Sequence, residues 1–351
     1  MARALGLTFH FVVLVVIGFL LLFVGGWGVL AIHFAGPAND LLRNGLAGTF
    51  AILTVGAFIG LFLSRWRWRV IPLHAFFFLA VLGWWQGIEP SNDRPWQPDV
   101  AKLAYADIQG DLVTVHNIRN LDYQSEAEYR VAYYDKTFDL TKLVGVDLIS
   151  VYWMGPEVAH VFLSFDFGNN DHLAISIETR KEEGENYSTT KGFFRQYELY
   201  YVVADERDVI GLRTNYRKNP PEDVYVYRTK GSLEGGRRMF LAYINRMNEL
   251  KEKPEFYNTL TTNCTTSIWM SSRVNQEHVP FSWKILASGF IPEYLYEQGR
   301  LKTGGLAFPE LQKHSLINAK AQAADKSADF SQQIRLTNVN ESGLQSPKAA
   351  E

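Results

Sequence analysis

Hydrophobic and polar positions divide this 351-residue chain into two materials. Up to about residue 88, long apolar runs alternate with short polar loops. Leu5–Phe34 carries no charge, and the shorter runs Leu46–Leu63 and Val70–Trp85 follow. A helix needs about 20 apolar residues to cross the hydrocarbon core, and ~17 is near the lower limit. The pattern therefore predicts three transmembrane helices within residues 1–88, with Trp66, Trp68, Trp84 and Trp85 at the interfaces. The first run is about twice the apolar core of a signal peptide, and two more follow it, so it does not read as a cleaved leader.

Orientation follows from the short loops. Arg3 precedes the first run, residues 36–45 set Arg43 against Asp40, and residues 65–69 hold three arginines. Arginine-rich loops stay in the cytoplasm, so the N-terminus is expected inside and everything after Gly87 outside the cytoplasm. His10, His33 and His74 fall in or at the ends of these runs, where interfacial or interhelical hydrogen bonding is expected.

Beyond them the period shortens. Residues 89–99, with Pro90, Pro95 and Pro98, read as a linker. Strand-like runs occupy Asp111–Arg119, Val146–Trp153, Ala159–Phe167 and His172–Thr179, and the Gly168–Asp171 turn signal between the last two predicts a hairpin. Phe193–Ala204, Asp208–Arg213 and Val224–Arg228 are further strand candidates. The pattern then turns helical. Leu233–Lys251 repeats apolar residues at spacings of three and four, and Cys264–Val274 follows the capping-type residues Thr262 and Asn263. The reading is α+β: a three-helix anchor, then an antiparallel sheet and helices in a domain over residues 100–312, then a polar, partly ordered tail over 313–351.

Composition sharpens this. The chain is 47% hydrophobic and 14% aromatic, too apolar for general disorder, and its net charge of −2 offers no basic field for nucleic acid. No metal-ligand spacing and no phosphate or dinucleotide glycine pattern occurs, so neither a metal nor a cofactor is expected. A single cysteine, Cys264, excludes an intrachain disulfide. If Asn263 caps the following helix, Cys264 sits in its first turn, where the helix N-terminus favours a thiolate and free N–H groups can hold an oxyanion. The alternative is a buried, inert side chain. A thiolate nucleophile needs a base. His160 and His172 open strands beside turns, whereas His116 and His278 lie in polar, surface-like surroundings. Glu178 is a candidate third member, with Ser176 and Arg180 on the same strand face. A Glu178–Arg180 cross-strand ion pair is the plainer alternative, and Asp205–Asp208 reads as a solvated charge cluster.

The stretch Trp96–Arg335 resembles a bacterial extracytoplasmic domain family that includes the N-terminal periplasmic domain of lipoprotein intramolecular transacylases. The resemblance is carried by Gly110-Asp111, Val115–Arg119, Ala159–Phe165, Ser176–Arg180, Tyr197–Leu199, Asp205–Asp208, Phe256–Asn258 and Asn263–Thr266. It implies a permuted papain-like (NlpC/P60-like) thiol fold in which histidine precedes cysteine. It points to Cys264 as nucleophile and His160 as base; Asn263, Arg180, Tyr257 and Ser176 are further candidates for substrate-binding or supporting roles. It also implies a multi-pass protein of the bacterial inner membrane with a periplasmic C-terminal domain. The three leading helices depart from the membrane arrangement associated with the transacylases. Three functions follow: a Cys–His acyltransferase or acyl hydrolase acting on membrane lipids or lipoproteins, a thiol peptidase or amidase of cell-wall peptides, or a non-catalytic binding domain.

Overall fold

The computed structural model describes residues 2–63 and 65–336. The chain divides into two compact units, one of residues 1–91 with Tyr187–Tyr197, the other of Asn92–Asn186 and the residues from Glu198 on.

The first unit is built on α1 (Ala2–Ala35), α2 (Asp40–Phe62) and α3 (Arg67–Gln86). Their stretches Thr8–Ala35, Asp40–Phe62 and Arg67–Gln86 are long and apolar enough to cross a membrane. Helices in lipid approach closely where small residues face a neighbour. A Cβ at Gly25 would collide with Thr54, and one at Gly28 with Phe50, so these glycines set the α1–α2 spacing. His74 Nε2 lies 3.2 Å from Thr54 Oγ1 of α2, and His10 Nε2 lies 2.7 Å from Arg67 of α3. Both are interhelical bonds. The segment Tyr187–Tyr197 belongs to this unit. Phe194 stacks on Phe34 at 5.4 Å, and Arg195 donates to the carbonyls of Trp85, Gln86 and Ile88 over the Trp85 ring. The extended run expected from Phe193 therefore starts only at Glu198. Arg195 has a left-handed φ of 57°, which breaks the strand geometry.

The second unit is an α+β body. Its strands are β1 (Tyr105–Gln109), β2 (Leu112–Arg119), β3 (Asp122–Tyr123), β4 (Tyr129–Arg130), β5 (Tyr133–Asp139), β6 (Gly145–Tyr152), β7 (Ala159–Asp166), β8 (His172–Arg180), β9 (Glu198–Ala204) and β10 (Asp223–Arg228). The main sheet runs β1-β2-β9-β8-β7-β6-β10, with β5 paired to β2, while β3 and β4 form a separate ribbon. It is mixed rather than wholly antiparallel, because β2 meets β9 in parallel at Arg119 and Ala204. The β7–β8 hairpin turns through Gly168, Asn169 and Asn170, all at positive φ.

Helices cover both faces. These are α4 (Glu206–Gly211), α5 (Leu233–Glu252), α6 (Cys264–Ser272), α7 (Trp283–Leu286), α8 (Ile291–Glu297), α9 (Phe308–Ser315), α10 (Asn318–Ala323) and α11 (Phe330–Gln333). On one face α5 sets Phe240 and Tyr243 against Phe165 and Tyr201. On the other, Phe162, Tyr200 and Val202 pack with Val209, Ile210, Ile317, Ala321, Phe330 and Ile334. Residues 313–336 thus contribute to this core, while residues 337–351 lie outside those described.

Two expectations are corrected. Asp208–Arg213 is no strand. Asp205 accepts from the Arg207 N–H and starts α4, which passes into a wider, π-pitched turn over Leu212–Tyr216. Nor is Asp205–Asp208 a solvated cluster. Glu206 and Asp208 are both 0% exposed. Asp208 takes a bidentate Arg119 at 2.8 and 3.1 Å plus the Leu121 N–H, and Glu206 takes Arg335 and Ser164. Burial is tolerated because each carboxylate is paired and hydrogen-bonded.

Candidate active site

The site begins with how α6 starts. Asn258 folds the preceding loop into an Asx turn, its Oδ1 accepting from the N–H groups of Leu260 and Thr261. Asn263 then caps α6. Its Oδ1 accepts from Thr266 N at 2.9 Å while Thr266 Oγ1 accepts from Asn263 N at 3.0 Å, a reciprocal capping box. Cys264 is therefore the first helical residue, at the positive end of the helix dipole.

The histidine comes from the sheet. β7 and β8 pair only over Leu163–Asp166 and His172–Ile175, although both strands run further. Helix α6 packs against both strands. His160, near the start of β7, hydrogen-bonds the Cys264 thiol. Its Nε2 faces Ser176 Oγ at 2.7 Å and Glu178 Oε1 at 3.4 Å. Ser176 donates to Glu178 Oε1 at 2.7 Å, and Arg213 Nη2 donates to the same oxygen at 2.8 Å. The constellation is a chain of hydrogen bonds running Cys264–His160–Ser176–Glu178–Arg213.

Its electrostatics are set by that chain. Burial would lower the basicity of His160, but its bonds to Cys264 and Glu178 outweigh burial and push its pKa up to about 9. Burial would raise the Cys264 thiol. The His160 bond and charge, together with the backbone N–H groups of Val161 and Thr265, hold it below the ordinary thiol value instead. Burial likewise opposes the charge on Glu178, yet Arg213 and His160 hold its carboxyl well below the usual range. Thiolate and imidazolium stabilise one another, and Glu178 stabilises the imidazolium.

The remaining candidates fall elsewhere. Asn263 spends its side chain on the helix cap. Arg180 is buried and donates to the carbonyls of Val100 and Ala101 and to Asn92, over the Trp96 ring at 4.2 Å, so it fixes residues 92–101, most of them in the stretch read as a linker. It forms no ion pair with Glu178, whose cation is Arg213. Tyr257 is buried next to Phe256, which bridges to Glu198. His172 lies 3.5 Å from Asp166, His116 sits between Asp107 and Asp135, and His278 is exposed. Ser176, 0% exposed, is an internal relay. Sequence reasoning missed Arg213, because it read that segment as strand. Its one signal was a cation at the end of an apolar run, a common pattern.

Residues 129–289 match the family model described as the Lnb N-terminal periplasmic domain. This is the family that the sequence patterns resembled, and the matched span contains Cys264, His160, Ser176, Glu178 and Arg213. No curated protein and no solved structure matches the chain.

Proposed function

We propose, from the premise that residues 129–289 form a domain of the Lnb N-terminal periplasmic type, that this protein is a membrane-anchored Cys–His acyltransferase or acyl hydrolase. Its substrates are lipid-linked, lipoproteins among them, at the outer face of the inner membrane, with the N-terminus cytoplasmic and the domain periplasmic. The observation that carries the reading is a thiol at the first residue of a capped helix, bonded to an imidazole that Ser176 and Glu178 hold. The chain order, histidine on a strand before cysteine on a helix, supports a permuted papain-like domain.

In the first step the Cys264 thiolate attacks the ester carbonyl. A C–S bond forms, the ester C–O bond breaks, and His160 gives its proton to the departing alkoxide. In the second, an amine or water attacks the thioester. The new C–N or C–O bond forms, the C–S bond breaks, His160 takes the proton from the nucleophile, and the thiolate returns. Mass spectrometry after incubation with a diacyl lipopeptide tests this: an acyl adduct on Cys264, absent from Cys264→Ala, is expected. No adduct, together with release of cell-wall peptides by the same thiol, would replace the lipid reading with a peptidase.

A further inference from the structure

A cavity of about 640 Å³ opens among β6, β7, α5, α6, α7 and α8. Its apolar wall includes Leu148, Val161, Leu163, Met239, Ile268 and Ile285. On α6 the lining residues Thr265, Ile268, Trp269 and Ser272 recur at the spacing of one helix face. The charged lining residues are partly tied: Arg238 donates to Asn275 at 2.9 Å and Arg300 to Glu277 at 3.1 Å. Thr265 spends its hydroxyl on the Ile285 carbonyl and Asn263 Oδ1.

The cavity meets the proposed site through two residues. Val161 and Thr265 form part of its wall, and their backbone N–H groups hold the Cys264 sulfur. Each directly follows a member of the pair, His160 or Cys264. Binding cavities for small ligands span ~300–1,000 Å³ and are mostly apolar with a few fixed polar groups. Polar side chains such as Lys230, Asn275, Gln276 and Lys302 also line the cavity, but a cell-wall peptide laid along the apolar wall would leave its amides unmet, whereas a hydrocarbon chain makes no polar demand there. The domain is also joined to three helices able to span a bilayer, a local source of such chains.

We infer that this cavity receives one fatty acyl chain of the acyl donor, with its ester carbonyl presented at Cys264. The inference rests on the proposed thiol chemistry for its carbonyl end, but the chain-binding part is separable. The test uses full-length Cys264→Ala protein in nanodiscs with a photoactivatable long-chain fatty acid. Crosslinks are expected on peptides carrying β7, α5 and α6, competed by oleate and reduced several-fold by Ile268→Trp or Met239→Trp. Labelling confined to α1–α3, or wall labelling displaced by cell-wall peptide and not by oleate, overturns it. In protein that keeps Cys264, the same tryptophans should cut turnover of a palmitoyl ester at least about tenfold relative to an acetyl ester. An equal loss on both esters also overturns it. Wall labelling with no turnover of either ester by the unaltered protein would retain the cavity assignment and sink the thiol chemistry. The Cys264→Ala crosslinks decide the matter even where a tryptophan variant fails to fold.

Discussion

Replacing Glu178 by glutamine removes one charge from the site and leaves its shape. The amide oxygen can still accept from Ser176 and Arg213, so the relay keeps its geometry while the imidazolium loses its counter-charge. At 3.4 Å, opposite unit charges attract by about 5 kcal/mol at an effective dielectric of ~20 and by about 1 kcal/mol in water. The His160 and Glu178 side chains are 16% and 24% exposed, so about 3 kcal/mol is a fair middle figure, roughly two powers of ten. His160 would then fall from about 9 toward the ordinary imidazole value. The thiolate–imidazolium pair exists between the lowered thiol value and the raised histidine value. Narrowing that window from above strips part of the imidazolium at neutral pH, so the thiolate–imidazolium pair shrinks several-fold there instead of persisting to about pH 9.

The assay is the rate of iodoacetamide alkylation of Cys264 against pH. The unaltered protein should react well below the ordinary thiol value of ~8.5. Glu178→Gln should react several-fold more slowly between about pH 7 and 9, and the gap should close at higher pH, where simple deprotonation supplies the thiolate in both. Arg213 also loses a partner, so a thermal melt must accompany the assay to separate lost stability from lost reactivity. Identical alkylation profiles in a folded variant would refute the view that Glu178 holds the imidazolium.

Further outcomes follow from the same geometry. Cys264→Ser should abolish the acyl adduct while leaving the melting temperature close to that of the parent, since it swaps one atom at a partly exposed position. Arg213→Met removes the cation 2.8 Å from Glu178 that keeps its buried carboxyl ionised, so alkylation near pH 7 should fall, with a loss of about 1–3 kcal/mol in denaturant unfolding of the soluble unit. The fall follows because burial without Arg213 favours a neutral Glu178, which no longer holds the His160 charge, and unchanged alkylation would show that Arg213 does not set the Glu178 charge. Asn263→Ala should cost ~1 kcal/mol of stability through the lost cap and slow alkylation as α6 frays, both measurable on one sample. Asp208→Asn leaves the buried Arg119 without its counter-charge and should cost about 3–5 kcal/mol, read as an early unfolding transition.

The parts legible in the sequence were those fixed by local chemistry. Three apolar runs of near-bilayer length are a property of consecutive residues, and they became α1–α3. Gly168–Asp171 specified its own hairpin, and Asn263 with Thr266 specified its own cap. β1 and β5 escaped notice because Tyr133–Asp139, for example, is a largely half-buried strand of mixed polarity with no clean alternation. The error at Asp208–Arg213 has a physical reason too. A short apolar run buried on all sides reads alike as strand or helix turn, and here an Asp205 cap and the Arg119 pair chose the helix.

What the sequence determined by itself was a three-helix anchor, an α+β domain, and one thiol at a helix start, with His160 singled out from His172 by the family resemblance alone. What only the tertiary structure decided was which charges answer one another. Arg213 lies 35 residues from Glu178, Arg119 lies 89 from Asp208, and Arg335 lies 129 from Glu206. No periodicity reports on such separations. Burial makes these pairs mandatory, because a carboxylate removed from water must find its cation, and only the folded chain places one within reach.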